Sequence, residues 1–442
     1  MKRAKQVTRV AGLLFLSLVV IPTLLWGQQV SIVKSESVGI SSKMLGNVDN
    51  MAKQAIAEKY LKGAVVLIAR HGKICYFKAF GEADEGKPMK TDAIFRLASM
   101  TKPPVAVAFL QLWDQGKFQL KDPVSKFIPE FKDLKVAQMD ANGQIKLVPA
   151  KRQIRIHDLL SFTAGMSATY MAGLSPVHKY VAESYAAKGV QDLMSETYEK
   201  PLSANVRTVT KCPLAYQPGE AWVYSNITMD TIAYLVEIIS GKTIDTYLQE
   251  NIFKPLKMKE IWFYPPQEVF SRIPAVFDKP GTLEKVTKES AAGTGVVGPL
   301  YTFGKHKTYL SAGGGLHGTT YDYYKFAQML LNKGKLDGVR VLSKQAVKVM
   351  TTIQVGDGPQ FLNVFSNNKW GYGVDIQEDA NMRPLKDWYG GPGSYGWRGF
   401  YSTMFFNDPI DDTVVITMAS TPRHGYTWGV KVNVAAGAAV ID

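Results

Sequence analysis

What most restricts the fold of this chain is the placement of β-rich sequence at its two ends. Near the start, "AVVLIARHGKICYFKAFG" (64–81) reads as two strands rich in β-branched and aromatic residues, joined by a tight "RHGK" turn. Near the end, "GYGVDIQ" (371–377), "GWRGFYSTMFFND" (396–408) and "TVVITMAS" (413–420) carry the same signature. Strands in a core need partners for every N–H and C=O, so the two ends are expected to pair in one sheet. Helical spacing dominates elsewhere. "NITMDTIAYLVEIISGKTIDTYLQENIF" (226–253) predicts two helices split at Gly241, and "TTYDYYKFAQMLLNKGK" (319–335) one helix capped by Thr319 or Thr320. "NMAKQAIAEKYLKG" (50–63) and "GVKVNVAAGAAV" (429–440) read as helices near the termini, and "IRIHDLLSFTAGM" (154–166) as a short helix ending in a glycine turn. The expected class is α/β (α+β), an antiparallel sheet built from both chain ends and flanked by helices, with a mostly helical lobe inserted. The expected division is a sheet lobe of residues 32–120 and 300–442, a helical lobe of 121–299, and a cleft between them.

Composition narrows the setting. With 46% hydrophobic and 20% charged residues the chain has ordinary globular content, which excludes a disordered polyelectrolyte. The first residues, "MKRAKQVTRV", carry Lys2, Arg3, Lys5 and Arg9 and no acid, and a short apolar run broken by Pro22 follows. That layout predicts a signal peptide over 1–27 and a periplasmic or secreted protein, with a retained N-terminal membrane anchor as the alternative. The net charge of +14 is scattered among acids rather than gathered in a block, so no nucleic-acid partner is expected. Cys75 and Cys212 fit either a bridge or two buried thiols. Six single histidines, with no CxxC or HExxH, predict neither a metal nor a cofactor.

The chemistry centres on "FRLASMTKPP" (95–104). Apolar residues Val105, Phe109, Leu112 and Trp113 recur at helical spacing, and Pro103 and Pro104 are tolerated only in a first turn. This sets Ser99 near a helix start with Lys102 on the same face. A lysine turned toward an apolar stripe loses charge stabilisation, and the neutral amine can then take a serine proton. Spacing alone decides nothing, because "SIVK" gives Ser31 and Lys34 the same separation in a polar stretch. A second fragment, "QPGEAWVYSN" (217–226), offers Tyr224 for proton transfer and Asn226 either as a substrate-orienting amide or as a cap for the next helix. A third, "GSYGWRGFYSTMFFNDP" (393–409), places Trp397, Arg398 and Gly399 in a strand where glycine permits close backbone approach.

Together these fragments resemble the serine β-lactamase, penicillin-binding-protein and family VIII esterase group of hydrolases, in its class C-like branch. "SMTK" at 99–102 is similar to the S-x-x-K motif, "YSN" at 224–226 to Y-x-N, and "WRG" at 397–399 to the K-T-G or W-G-G motif. "IRIHDLLSFTAGM" and "SAGGGLHGTTYDYYKFAQMLLNKG" match looser family patterns, and the likeness runs from about residue 50 to 420. The resemblance implies a β-lactamase/transpeptidase-like fold with Ser99 as acylated nucleophile, Lys102 as its general base or electrostatic partner and Tyr224 as the proton relay. Asn226, Trp397, Arg398 and Gly399 would orient substrate, and the backbone N–H groups of Ser99 and Phe400 would form the oxyanion hole. Trp397 stands where β-lactamases and transpeptidases carry a lysine, and Phe162 where the family usually has histidine. The first departure shifts the expected substrate toward a carboxylic ester or amide. A D-amino-acid peptidase, a weak β-lactamase, or a binding protein that keeps the fold without turnover are the alternatives. Arg398 is open to two placements, one turned away from the groove and one recognising an anionic group.

Overall fold

The expected hairpin forms. In the computed structural model, β1 (Gly63–Arg70) and β2 (Lys73–Asp84) pair antiparallel across His71 and Gly72, which have φ of 53° and 69°. Left-handed backbone at both turn positions matches the twist of the flanking strands. The structure describes residues 30–191, 199–287, 308–355, 369–377, 390–422 and 426–442. The basic and apolar N-terminal run expected as a signal or anchor lies outside them.

The two chain ends join in one eight-stranded antiparallel sheet. Its further strands are β3 (Lys87–Pro88), β4 (Lys369–Trp370), β5 (Asp375–Ile376), β6 (Tyr395–Gly399), β7 (Thr403–Asp408) and β8 (Thr413–Ala419). The order is β4-β5-β6-β7-β8-β1-β2-β3, so β1 from one end pairs directly with β8 from the other. Five helices pack on this sheet or carry site residues: α1 (Ser42–Ala57), α2 (Lys102–Asp114), α3 (Asn226–Ser240), α4 (Thr320–Leu331) and α5 (Tyr426–Ala438). Every residue of β1 is buried, because both sheet faces are covered. Ala64, Val66 and Ile68 meet Leu45 and Val48 of α1 and Trp428 and Val432 of α5, and α4 lies against β1, β7 and β8. Residues Ser31–Asp442 form one compact unit. No helix of the described residues is long and apolar enough to cross a membrane.

Local differences from the sequence reading have physical causes. "GWRGFYSTMFFND" is two strands, β6 and β7, turned at Phe400–Ser402 with Ser402 at φ 65°; a turn without glycine or proline leaves no punctuation. Helix α1 starts eight residues before its apolar spacing becomes obvious, capped by Ser41, whose hydroxyl accepts from the Met44 amide. The middle of the chain also holds a two-stranded hairpin, Lys135–Met139 with Ile145–Pro149. Thr319 is the cap of α4, and Gly241 ends α3 in left-handed backbone. Cys75 and Cys212 are buried free thiols.

Candidate active site

Strand Ile94–Arg96 runs through Leu97 into a 3₁₀ turn, Ala98–Thr101, and α2 begins at Lys102 with both prolines in its first turn. Ser99 therefore sits on a tight turn just ahead of the α-helix. Ala98, immediately before it, has φ 45°. A non-glycine residue there costs about 1–2 kcal/mol and persists only where its surroundings fix it. Here they do. The Leu97 amide donates to Leu316 O at 2.9 Å, and the Thr403 hydroxyl donates to Leu97 O at 3.1 Å. The Tyr323 hydroxyl donates to Met100 O at 2.8 Å, and the Leu316 amide donates to Thr101 Oγ1 at 3.0 Å. The serine is thus presented by a backbone held from β7, from α4 and from the loop before α4.

Lys102 is wholly buried, whereas Lys34 of the look-alike "SIVK" is exposed. Its Nζ lies 3.0 Å from Ser99 Oγ, 2.8 Å from Asn226 Oδ1 and 2.5 Å from Gly313 O, and 4.6 Å from the centre of the Tyr224 ring. A neutral amine has two N–H donors and one lone pair. The two carbonyl oxygens take the donors, which leaves the lone pair for the Ser99 hydroxyl. Burial drives the Lys102 pKa well below its ordinary value, with the Asp230 carboxylate pulling the other way. Lys102 has both the geometry and the protonation preference of a general base.

Asn226 is available to Lys102 because it is not the cap. Ser225 caps α3, its hydroxyl accepting from the Thr228 amide and donating to Ser167 O at 2.8 Å. The cap role that the sequence offered for Asn226 thus falls to Ser225, and the Asn226 amide oxygen faces Lys102. Tyr224 is buried in an aromatic cluster. Phe162 meets it edge-on at 5.5 Å between ring centres, Trp222 stacks at 6.0 Å and Trp397 tilts against it at 5.5 Å. Burial pushes its pKa up, while the neighbouring polar groups of Ser99 and Trp397, and the charge of Arg398, pull it down. The net direction is upward, so Tyr224 enters as a phenol able to donate a proton.

Gly399 explains how the end of β6 reaches the nucleophile. A Cβ there would stand 2.1 Å from Leu97 O and 2.2 Å from Thr403 Oγ1. Only glycine lets the 399–400 backbone lie beside the turn that carries Ser99, the arrangement an oxyanion hole from the Ser99 and Phe400 amides requires. Trp397 is 2% exposed and packs edge-on against Trp370 at 4.7 Å. Arg398 is held elsewhere: its Nη2 is 2.9 Å from Asp375 Oδ2 on β5, the two side chains being 11% and 0% exposed. The guanidinium already has a carboxylate.

Gly313, Phe162, Trp370 and Asp230 escaped sequence reasoning. Gly313 acts through its carbonyl and has no side chain to betray it; a Cβ there would meet Asn226 Cβ at 2.5 Å. Phe162, noted only as a missing histidine, has φ 59° and stacks on Trp370 at 5.0 Å, forming a wall of the Tyr224 pocket together with that tryptophan. Asp230 lies one helical turn beyond Asn226, and the i,i+4 spacing was the available signal.

Comparison with known proteins places the fold in a family. A beta-lactamase family model matches residues 48–427. Protein Rv1367c of Mycobacterium tuberculosis is 30% identical over 366 residues, covering 80% of this chain and 85% of that protein. Esterase EstB of Burkholderia gladioli is 33% identical over 225 residues, about half of each chain (50% and 52%). Among solved structures, EstCE1, described as a hydrolase with promiscuous acyltransferase activity, superposes with a TM-score of 0.72 at 25% identity, covering 89% of this chain and 99% of its own. The chain belongs to the beta-lactamase family and is a hydrolase of the serine β-lactamase and penicillin-binding-protein superfamily.

Proposed function

We propose that this chain is an exported serine hydrolase that cleaves a carboxylic ester, or a reactive amide, through an acyl-enzyme on Ser99. The observation that carries the reading is the hydrogen-bonding of Lys102: two carbonyls occupy its N–H donors and its third contact is Ser99 Oγ. The Ser99 oxygen attacks the substrate carbonyl as its proton passes to Lys102 Nζ. The oxyanion is received by the Ser99 and Phe400 amides. Collapse of the tetrahedral intermediate breaks the bond to the leaving group, which takes a proton from Tyr224, and Lys102 returns the proton to the phenol. Water then attacks the acyl-enzyme by the same route in reverse, releasing the carboxylic acid and restoring Ser99.

Trp397 favours the ester. It replaces a motif lysine with an apolar ring that joins Tyr224 and Trp370 in one aromatic wall. The esterase and acyltransferase names of two similar proteins support the same reading. The test is a panel of p-nitrophenyl butyrate, a chromogenic cephalosporin and an N-acylated D-alanyl-D-alanine peptide. The ester is expected to have the highest kcat/KM; a faster cephalosporin or peptide would transfer the assignment to a β-lactamase or peptidase. Export, to the periplasm or medium, rests on the N-terminal layout and is checked by fractionating cells that express the full chain.

A further inference from the structure

Lys102 is held by Asn226 and Gly313, and one carboxylate governs both supports. Asp230 follows Asn226 by one turn on α3 and is wholly buried. Its Oδ1 accepts from the Ala312 amide at 2.8 Å, and its Oδ2 accepts from the Tyr309 hydroxyl. Ala312 is bonded directly to Gly313, whose carbonyl receives the Lys102 N–H at 2.5 Å. The 309–313 segment is thus tied to the helix that supplies Asn226, and the tie ends one peptide away from the base. We infer that Asp230 is the positioning residue of this site, fixing the Gly313 carbonyl on Lys102 through Ala312 and Tyr309 and supplying the buried carboxylate that supports the lysine. The inference rests on the reading of Lys102 as the base for Ser99.

The arrangement has a reason. A fully buried lysine with only neutral partners would lose its proton so readily that its conjugate acid could not be sustained while it carries the serine proton. The groups that face Lys102 are Ser99 on the nucleophile turn, Tyr224 and Asn226 at the start of α3, and Gly313 in the loop. None of these is a carboxylate. Arg398 lies beyond Tyr224 and is paired with Asp375. Asp230 is the charge that opposes desolvation of Lys102. A carboxylate in this place stabilises the lysine ammonium during acylation without taking its proton, because Ala312 and Tyr309 occupy its oxygens.

Asp230→Asn removes the charge and keeps the shape. The Asn carbonyl still accepts from Ala312, and the Tyr309 hydroxyl, which also reaches Gln191 O at 3.3 Å, can donate there and accept from the new amide. The measurement is the pH dependence of phosphonylation of Ser99 by a fluorophosphonate, read by intact mass, which needs no substrate. Removing a negative charge lowers the Lys102 pKa further. The acid limb is therefore expected to move to lower pH, by about one unit, the order of shift that loss of a nearby opposite charge produces. Tyr309→Phe keeps the charge but loosens the loop, so its limb should stay in place while the plateau rate falls about tenfold. An Asp230→Asn limb that coincides with wild type overturns the charge role, and a Tyr309→Phe plateau equal to wild type overturns the positioning role. Asp230→Ser replaces Asp230→Asn if the latter does not fold, with the same expectation for the limb. A wild type that is not phosphonylated at Ser99 would instead refute the reading of the base and nucleophile themselves.

Discussion

Replacing Gly313 by alanine tests whether the supports of Lys102 are as tight as the distances imply. The new methyl would stand 2.5 Å from Asn226 Cβ and 2.7 Å from both Asn226 Cγ and Oδ1. Ordinary carbon contacts lie at about 3.5–4.0 Å, so the loop and Asn226 must separate by about 1 Å. Both move away from Nζ, one holding it at 2.8 Å and the other at 2.5 Å. A displacement of about 1 Å at a reacting group costs about 10²-fold in rate, or about 2.7 kcal/mol of transition-state stabilisation. Overpacking adds a stability cost of about 1–3 kcal/mol. The assay is kcat/KM on p-nitrophenyl butyrate beside thermal melting. Gly46→Ala is the control, since its Cβ would meet nothing within 4 Å in the middle of α1. That control should stabilise by about 1 kcal/mol with activity unchanged. A folded Gly313→Ala enzyme with kcat/KM within about threefold of wild type would refute the claim that Asn226 and Gly313 set the position of the base.

Two further outcomes follow from the buried charges. Because the folded-state pKa of Lys102 lies well below the ordinary value of 10.5, the unfolded chain binds more protons between those two values, and this group adds stability as pH rises through that window. Lys102→Met should therefore raise Tm more at pH 7 than at pH 10, while abolishing turnover; a gain independent of pH would show the lysine to be charged in the fold. Arg398→Ala leaves the buried Asp375 carboxylate without its guanidinium and should cost about 3–5 kcal/mol in chemical denaturation, with KM for a neutral ester nearly unchanged. A large rise in KM at unaltered stability would instead place Arg398 on the substrate.

The parts of the site legible in the sequence are those whose side chains carry both chemistry and spacing. Ser99 and Lys102 stood out through the apolar stripe behind them and the paired prolines, and Tyr224 with Asn226 through a three-residue motif ahead of a helix. What stayed hidden works through backbone or through packing at long range. Gly313 contributes a carbonyl, Leu97 and Met100 are clamped by residues more than two hundred positions away, and Ser402 turns the chain with no glycine to mark it. The role of Phe162 depends on Trp370 and Tyr224 meeting it in space. The sheet was readable because β-branched runs at both ends leave few other solutions; the short hairpin at 135–149 was not, since its second strand is short and mostly exposed.

The central claim is that Ser99 is a nucleophile activated by Lys102. Intact-mass measurement after exposure to a fluorophosphonate tests it most directly. The wild type is expected to gain one phosphonyl group, mapped by peptide analysis to the Ala98–Lys102 segment, and Ser99→Ala to gain none. A wild-type protein that stays unmodified, or an adduct that survives in Ser99→Ala, would contradict it.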